Sequence, residues 1–320
     1  MRHCRHAAMV RGTGHDKGVS CRMPQASEGY IPFRGYRTWY RSVGNCQPGK
    51  LPLLCLHGGP GAAHDYLESL EEMAETGRQV VFYDQLGCGR SDQPHSPSMW
   101  TVELYVDEVG AVRRALGLDH IHLLGQSWGG MLAMEYALTQ PTGLSSLVVA
   151  SSPASMEQWV GEANRLRENL PPEVQATLLK HERDGTTADP EYEKAMLVFY
   201  GRHVIRTTPW PDCVNRTFAQ LARNPEVYHT MNGPSEFFVT GTLKTWNIIP
   251  RLGEIRVPTL VTSGRHDEAT PEIAGTVHRG IPESEWVVFE NSAHMSHVEE
   301  KQKYLDVLDR FLTRIEARHV

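Results

Sequence analysis

The chain has 320 residues, 32 Lys and Arg against 38 Asp and Glu, and a formal net charge of −6. This balance excludes the gathered basic surface of a nucleic-acid-binding protein. Its longest apolar runs, such as residues 144–150, fall far short of the roughly 20 residues that span a bilayer, so no membrane segment is expected.

Residues 1–22 are basic and rich in His and Gly. They lack the apolar stretch of a signal peptide, so the protein is expected to be cytoplasmic. This segment is expected to be a disordered extension, with Met23 as an alternative natural start. Cys4, His6, His15 and Cys21 have no compact metal-site spacing, and no metal is expected. Together with Cys46, Cys55, Cys88 and Cys213 the cysteines show no C-x-x-C pairing, which points to reduced thiols.

Residues 30–43 are aromatic and β-branched with Gly35 as a turn residue, a hairpin pattern. Strand-like runs follow at 51–56, 79–83, 121–124, 144–150, 259–263 and 285–289, separated by helical stretches. That alternation predicts an α/β fold with a mainly parallel sheet flanked by helices. Between 152 and 250 it stops, and the segment turns amphipathic with breaks at Pro171, Pro172, Pro190, Pro209 and Pro211. The expected organisation is a core from 23–151 and 251–320 with a helical cap, 152–250, inserted in it.

Gly125-Gln126-Ser127-Trp128-Gly129 stands between the run 121–124 and a helix-like stretch 131–138. A serine on such a sharp strand-to-helix turn needs flanking glycines, and the turn thrusts its hydroxyl above the sheet as a nucleophile. The helix N-terminus then aims free N–H groups at a developing oxyanion. His57-Gly58-Gly59-Pro60-Gly61 follows an early strand, where a second oxyanion donor is needed. The Gly59 and Trp128 amides are the expected pair. Without the serine turn, the same glycines would read as an ordinary loop.

Asp267 and His294 each follow a later strand-like run, and the order Ser, Asp, His is the one expected when all three stand at carboxyl ends of strands. His294 accepts the serine proton, while Asp267 fixes its tautomer and stabilises the imidazolium. Among 16 histidines, His266 and His297 are poorer candidates because neither occupies the turn right after a strand. Asp84, in a glycine-rich turn without G-K-[ST], reads as structural. Cys88, in the same turn, has no partner histidine to make it a nucleophile. No cofactor is implied by this chemistry.

The sequence resembles the proline iminopeptidase family of α/β hydrolases, which includes tricorn-interacting aminopeptidases and related amino-acid amidases. The resemblance is carried by HGGPG (57–61), YDQLGCGRSD (83–92), GQSWGG (125–130), NGPSEF (232–237), GRHDEATP (264–271) and AHMSHVE (293–299). It implies the α/β-hydrolase fold with a helical cap, and a serine aminopeptidase that releases an N-terminal residue, proline or small and apolar, through an acyl-enzyme. It also implies that Glu236 and Glu268 hold the ammonium of a small peptide or aminoacyl substrate, with Tyr228 as a cap residue of the site. A buried ammonium must be paired to offset its desolvation. Typical bacterial members carry GGSWGS at the nucleophile turn, where this chain has GQSWGG. Glutamine turns occur in relatives acting on amino-acid amides, so an amidase or esterase with the same triad remains the alternative. A non-enzymatic binding protein of this fold is disfavoured by the intact Ser127, Asp267 and His294.

Overall fold

Short runs of Leu, Val and Phe with no polar break are what a strand covered on both faces requires. In the computed structural model, which describes residues 25–318, these runs form the middle of one eight-stranded sheet. The terminal segment and its cysteines and histidines lie outside the described residues. β1 (Ala26–Phe33) and β2 (Tyr36–Val43) form the expected hairpin. β3 (Leu53–Leu56), β4 (Val80–Tyr83), β5 (Ile121–Gln126), β6 (Leu144–Ala150), β7 (Thr259–Gly264) and β8 (Glu285–Phe289) complete it. The spatial order is β1-β2-β4-β3-β5-β6-β7-β8, with β2 antiparallel to both neighbours and the remaining pairs parallel.

Because strand side chains alternate, Leu54 and Leu56 join one core layer while Leu53 and Cys55 join the other. The first layer is closed by α1 (Val102–Ala115), α2 (Trp128–Leu138) and α8 (Pro271–Gly280), through residues such as Val109, Leu132 and Ile273. The second is closed by a 3-10 segment, His64–Thr76, and by α10 (Lys301–Glu316), through Leu67, Leu70, Leu308 and Leu312.

Between β6 and β7 lie α3 (Met156–Arg167), α4 (Pro172–Asp184), α5 (Pro190–His203), α6 (Asp212–Arg223) and α7 (Glu226–Met231). Pro172 and Pro190 are the first residues of their helices, and Pro171 and Pro211 stand just before one. Proline suits these places because its fixed φ is helical and its missing N–H would have no partner there. α9 (Ser296–Glu299) is one turn after β8. Among the described residues no helix is long and apolar enough to cross a membrane.

One buried ion pair ties the sheet to α10. Arg78, fully buried beside β4, donates to both Glu316 oxygens at 2.9 and 2.7 Å and to Thr313 at 2.8 Å. Burial opposes charge on Glu316, but hydrogen bonds from His122 and Arg78 outweigh it and hold this carboxyl well below its usual range. Stability from this carboxylate is therefore present at neutral pH and lost as pH falls through the depressed range. Arg78→Met is expected to cost about 3 kcal/mol in urea unfolding, since it strips a buried carboxylate of its main partner. A variant within about 0.5 kcal/mol of wild type would show that the other partners of Glu316, Lys50 at 3.1 Å and His122 at 3.4 Å, suffice to hold the charge.

Candidate active site

Ser127 joins β5 to α2 at φ 58° and ψ −127°, backbone angles an L-residue holds only when its surroundings force them. The forcing comes from close packing. A Cβ on Gly125 would stand 2.0 Å from the Gly129 oxygen, and one on Gly129 would stand 2.2 Å from the Leu56 oxygen. Both glycines of the motif are thus steric requirements of the turn. The Ser127 amide donates to the Ala150 carbonyl at 2.9 Å, and the Ser152 hydroxyl donates to the Ser127 carbonyl at 2.7 Å. Ser127 lies on the wall of a cavity of about 600 Å³, to which α5, α6 and α7 contribute Met196, Phe218, Leu221 and Tyr228.

Trp128 is the first residue of α2, so its N–H has no partner inside the helix. Gly59, at φ 112°, Trp128 and Ser127 together line a second, narrow pocket closed by Met131, Pro153, Met156 and Trp159. The Gly59 loop is tied to the nucleophile helix through Gln85. Its amide side chain donates to the His57 carbonyl at 2.8 Å and accepts from the Trp128 indole at 2.8 Å.

Asp267, fully buried just after β7, accepts from the Ala269 amide at 2.7 Å and the Gly264 amide at 3.3 Å. Its Oδ1 is 2.7 Å from His294 Nδ1. A carboxylate only accepts, so Nδ1 carries the hydrogen and Nε2 keeps its lone pair. His294 follows β8 and lines the same cavity as Ser127, its ring edge-on to Trp159 at 5.9 Å. The chain leaving α5 holds both loops: the Glu268 amide donates to the His203 carbonyl and the His294 amide to the Val204 carbonyl, each at 3.1 Å.

The two glutamates meet in this cavity. Glu236, partly exposed to it, accepts from the Tyr228 hydroxyl at 2.7 Å, and Tyr228 is linked in turn to Tyr200. Glu268 is buried; its Oε1 is 3.7 Å from His294 Nε2 and its Oε2 has no hydrogen-bond partner. Burial, then the charges of Glu236 and Asp267, push the Glu268 carboxyl well above its usual range. Burial also raises Glu236, against the Tyr228 hydrogen bond and the positive field of His294. Two carboxylates thus line one space, one of them with an oxygen that has no hydrogen-bond partner.

Asp84 accepts from the main-chain N–H and ring of His64, at 2.9 and 2.8 Å, and from the Arg90 amide at 2.8 Å. These contacts fix the turn after β4. Burial pushes the Cys88 thiol well up, leaving no thiolate for nucleophilic work. His266 is exposed, and His297 is buried against the Tyr66 carbonyl at 3.1 Å. Sequence reasoning missed Tyr66, Tyr200, Ser152 and the Gln126 side chain as parts of this site. The one signal was Gln126 itself, where typical bacterial members of the resembling family have glycine.

Residues 52–301 match the α/β hydrolase fold family, and the chain belongs to it. A proline iminopeptidase of Clostridium botulinum is 42% identical over 90% of this chain and 98% of its own. The solved structure of a proline iminopeptidase from Mycobacterium smegmatis is 44% identical with a TM-score of 0.86, covering 92% of this chain and all (100%) of that one. The solved structure of VinJ is 46% identical with a TM-score of 0.89, covering 91% and 99%. Within the α/β hydrolases, this chain is a member of the proline iminopeptidase family.

Proposed function

We propose that this protein is a serine aminopeptidase that releases an N-terminal residue, proline or small and apolar, from short peptides. The observation carrying this reading is the placement of Glu268. It follows Asp267 directly in the chain, its Oε1 lies 3.7 Å from His294 Nε2, and its Oε2 is unpaired. An ammonium held there and by Glu236 puts the adjacent acyl carbon beside Ser127. Ser127 attacks as His294 takes its proton, and the amides of Gly59 and Trp128 hold the oxyanion. His294 then protonates the leaving amine, and water repeats the cycle on the acyl-enzyme. The helical segment between β6 and β7 acts as a cap that supplies Glu236 and Tyr228.

A panel of aminoacyl-arylamides, amides and short-chain esters, with and without a free amine, tests the reading. Turnover of free-amine prolyl or alanyl arylamides well above all others supports it, and a preference for simple esters moves the protein to the esterase alternative.

The raised carboxyls give a pH test. A protonated Glu268 does not pair with an ammonium, so the specificity constant for a free-amine substrate is expected to rise with pH through a limb above the ordinary carboxylate range. An uncharged ester hydrolysed by the same triad lacks that limb, and Glu268→Gln removes it from the free-amine profile. Superimposable profiles for the two substrates on wild type would rule out this role for the carboxylates.

A further inference from the structure

One continuous hydrogen-bond chain crosses the floor of the site and belongs to none of the roles above. The Gly58 amide donates to the Tyr66 hydroxyl at 2.7 Å. The Tyr66 hydroxyl donates to Gln126 Oε1 at 2.5 Å, and Gln126 Nε2 donates to the main-chain carbonyl of His294 at 3.0 Å. The chain touches the proposed machinery at three places: Gly58 precedes Gly59, Gln126 precedes Ser127, and the last acceptor is the backbone of His294 itself. Both side chains are 2% exposed, so water does not compete readily for these bonds. The Tyr66 ring is held from behind by His297, edge-on at 5.6 Å, whose Nε2 donates to the Tyr66 carbonyl at 3.1 Å. His297 lies in α9, which directly follows the His294 loop.

We propose that Tyr66 and Gln126 are positioning residues that fix the oxyanion amide, the nucleophile turn and the His294 backbone in one register. His294 has two other anchors, the Val204 carbonyl and Asp267. Breaking the chain therefore leaves the loop folded but free to drift relative to Ser127. Misplacement on the order of 1 Å costs up to about a hundredfold in rate. Tyr66 and Gln126 also line the cavity, but their polar atoms are engaged within the chain while the proposed ammonium contacts are those of Glu236 and Glu268, so the loss falls on kcat rather than KM. The three bonds act in series, and cutting either residue disconnects the same two ends.

The test uses Tyr66→Phe, which deletes one oxygen and keeps the ring, Gln126→Met, which keeps the volume, and the double variant. All are assayed on a free-amine prolyl arylamide, with melting temperatures recorded. The expected result is a kcat at least threefold below wild type in each single variant, centred near tenfold, with KM within twofold. The double variant should lie within twofold of the weaker single one. A loss under threefold in either single variant, a loss carried by KM, or a double variant more than twofold below the weaker single one overturns the proposal. If Gln126→Met does not fold, Tyr66→Phe alone decides by the same kcat and KM limits. The inference rests on the proposed triad, and Ser127→Ala separates the two failures. An active Ser127→Ala removes the triad, whereas an inactive one beside an undisturbed Tyr66→Phe removes only the positioning role.

Discussion

Ser127→Ala is expected to lower kcat/KM for a prolyl arylamide by at least about 10⁴-fold while leaving the protein folded. Deleting the hydroxyl removes the proposed nucleophile and with it the acyl-enzyme route. Asp267 and His294 stay paired at 2.7 Å, but they then have no proton to take. The remaining rate comes from the Gly59 and Trp128 amides and from substrate binding, which together leave about 10³–10⁴-fold over water in serine hydrolases. Folding is expected to hold because Ala has the same Cβ as Ser. The turn is set by Gly125, Gly129 and the Ser127 amide bond to Ala150, none of which uses the hydroxyl. The strain of φ 58° is the same for both residues. The paired measurement is labelling by a serine-directed phosphonate, expected to vanish. Near wild-type turnover by a pure, folded variant would mean that another residue is the nucleophile.

The parts of this molecule readable from sequence are those whose physics is local. The central strands fall within a residue or two of the apolar runs 51–56, 79–83 and 259–263, because a strand buried on both faces must be continuously apolar. The nucleophile turn is local as well: Gly125 and Gly129 answer to contacts with their own turn and with β3. The segment His64–Thr76, one of the helical stretches expected between strands, has no bounds readable from sequence because its apolar positions follow directly on a Gly/Pro loop with no capping residue to mark a start. The positioning chain was illegible for a different reason. Tyr66 and Gln126 are 60 residues apart, Gln126 and His294 are 168 apart, and nothing in either neighbourhood encodes the other. Glu236 and Glu268 came only through family resemblance, since each alone reads as a solvated carboxylate. What distinguishes them is that one faces the other across a cavity that the helices after β6 close.

Acetylating the amine of a prolyl or alanyl arylamide is expected to lower its specificity constant at least about tenfold, toward a hundredfold or more. The free amine brings a positive charge between Glu236 and Glu268, and the acetylated one brings a neutral amide that cannot pair with both. A hydrogen bond to a charged group is worth roughly 1.5–3 kcal/mol, and leaving a buried charge unpaired costs more. That range converts to about tenfold to a hundred-and-fiftyfold in rate. Desolvation of Glu268 puts the effect at the upper end, because its Oε2 has no partner to fall back on. Glu236→Gln is the cleaner of the two tests. The amide oxygen of glutamine still accepts from the Tyr228 hydroxyl, 2.7 Å from the carboxylate it replaces, so the local packing survives while the charge goes. Glu268→Gln also removes a carboxylate 3.7 Å from His294 Nε2, so it changes the surroundings of the base as well as the proposed ammonium contact. Both variants should discriminate less between free and acetylated amines than wild type does. Hydrolysis of an uncharged ester should stay largely intact in Glu236→Gln, because that carboxylate moves no proton in the reaction. The measurement is kcat/KM for matched free and acetylated arylamides on wild type and both variants. Equal values for the two substrates on wild type would sink the ammonium-receptor role of Glu236 and Glu268 and favour the esterase reading.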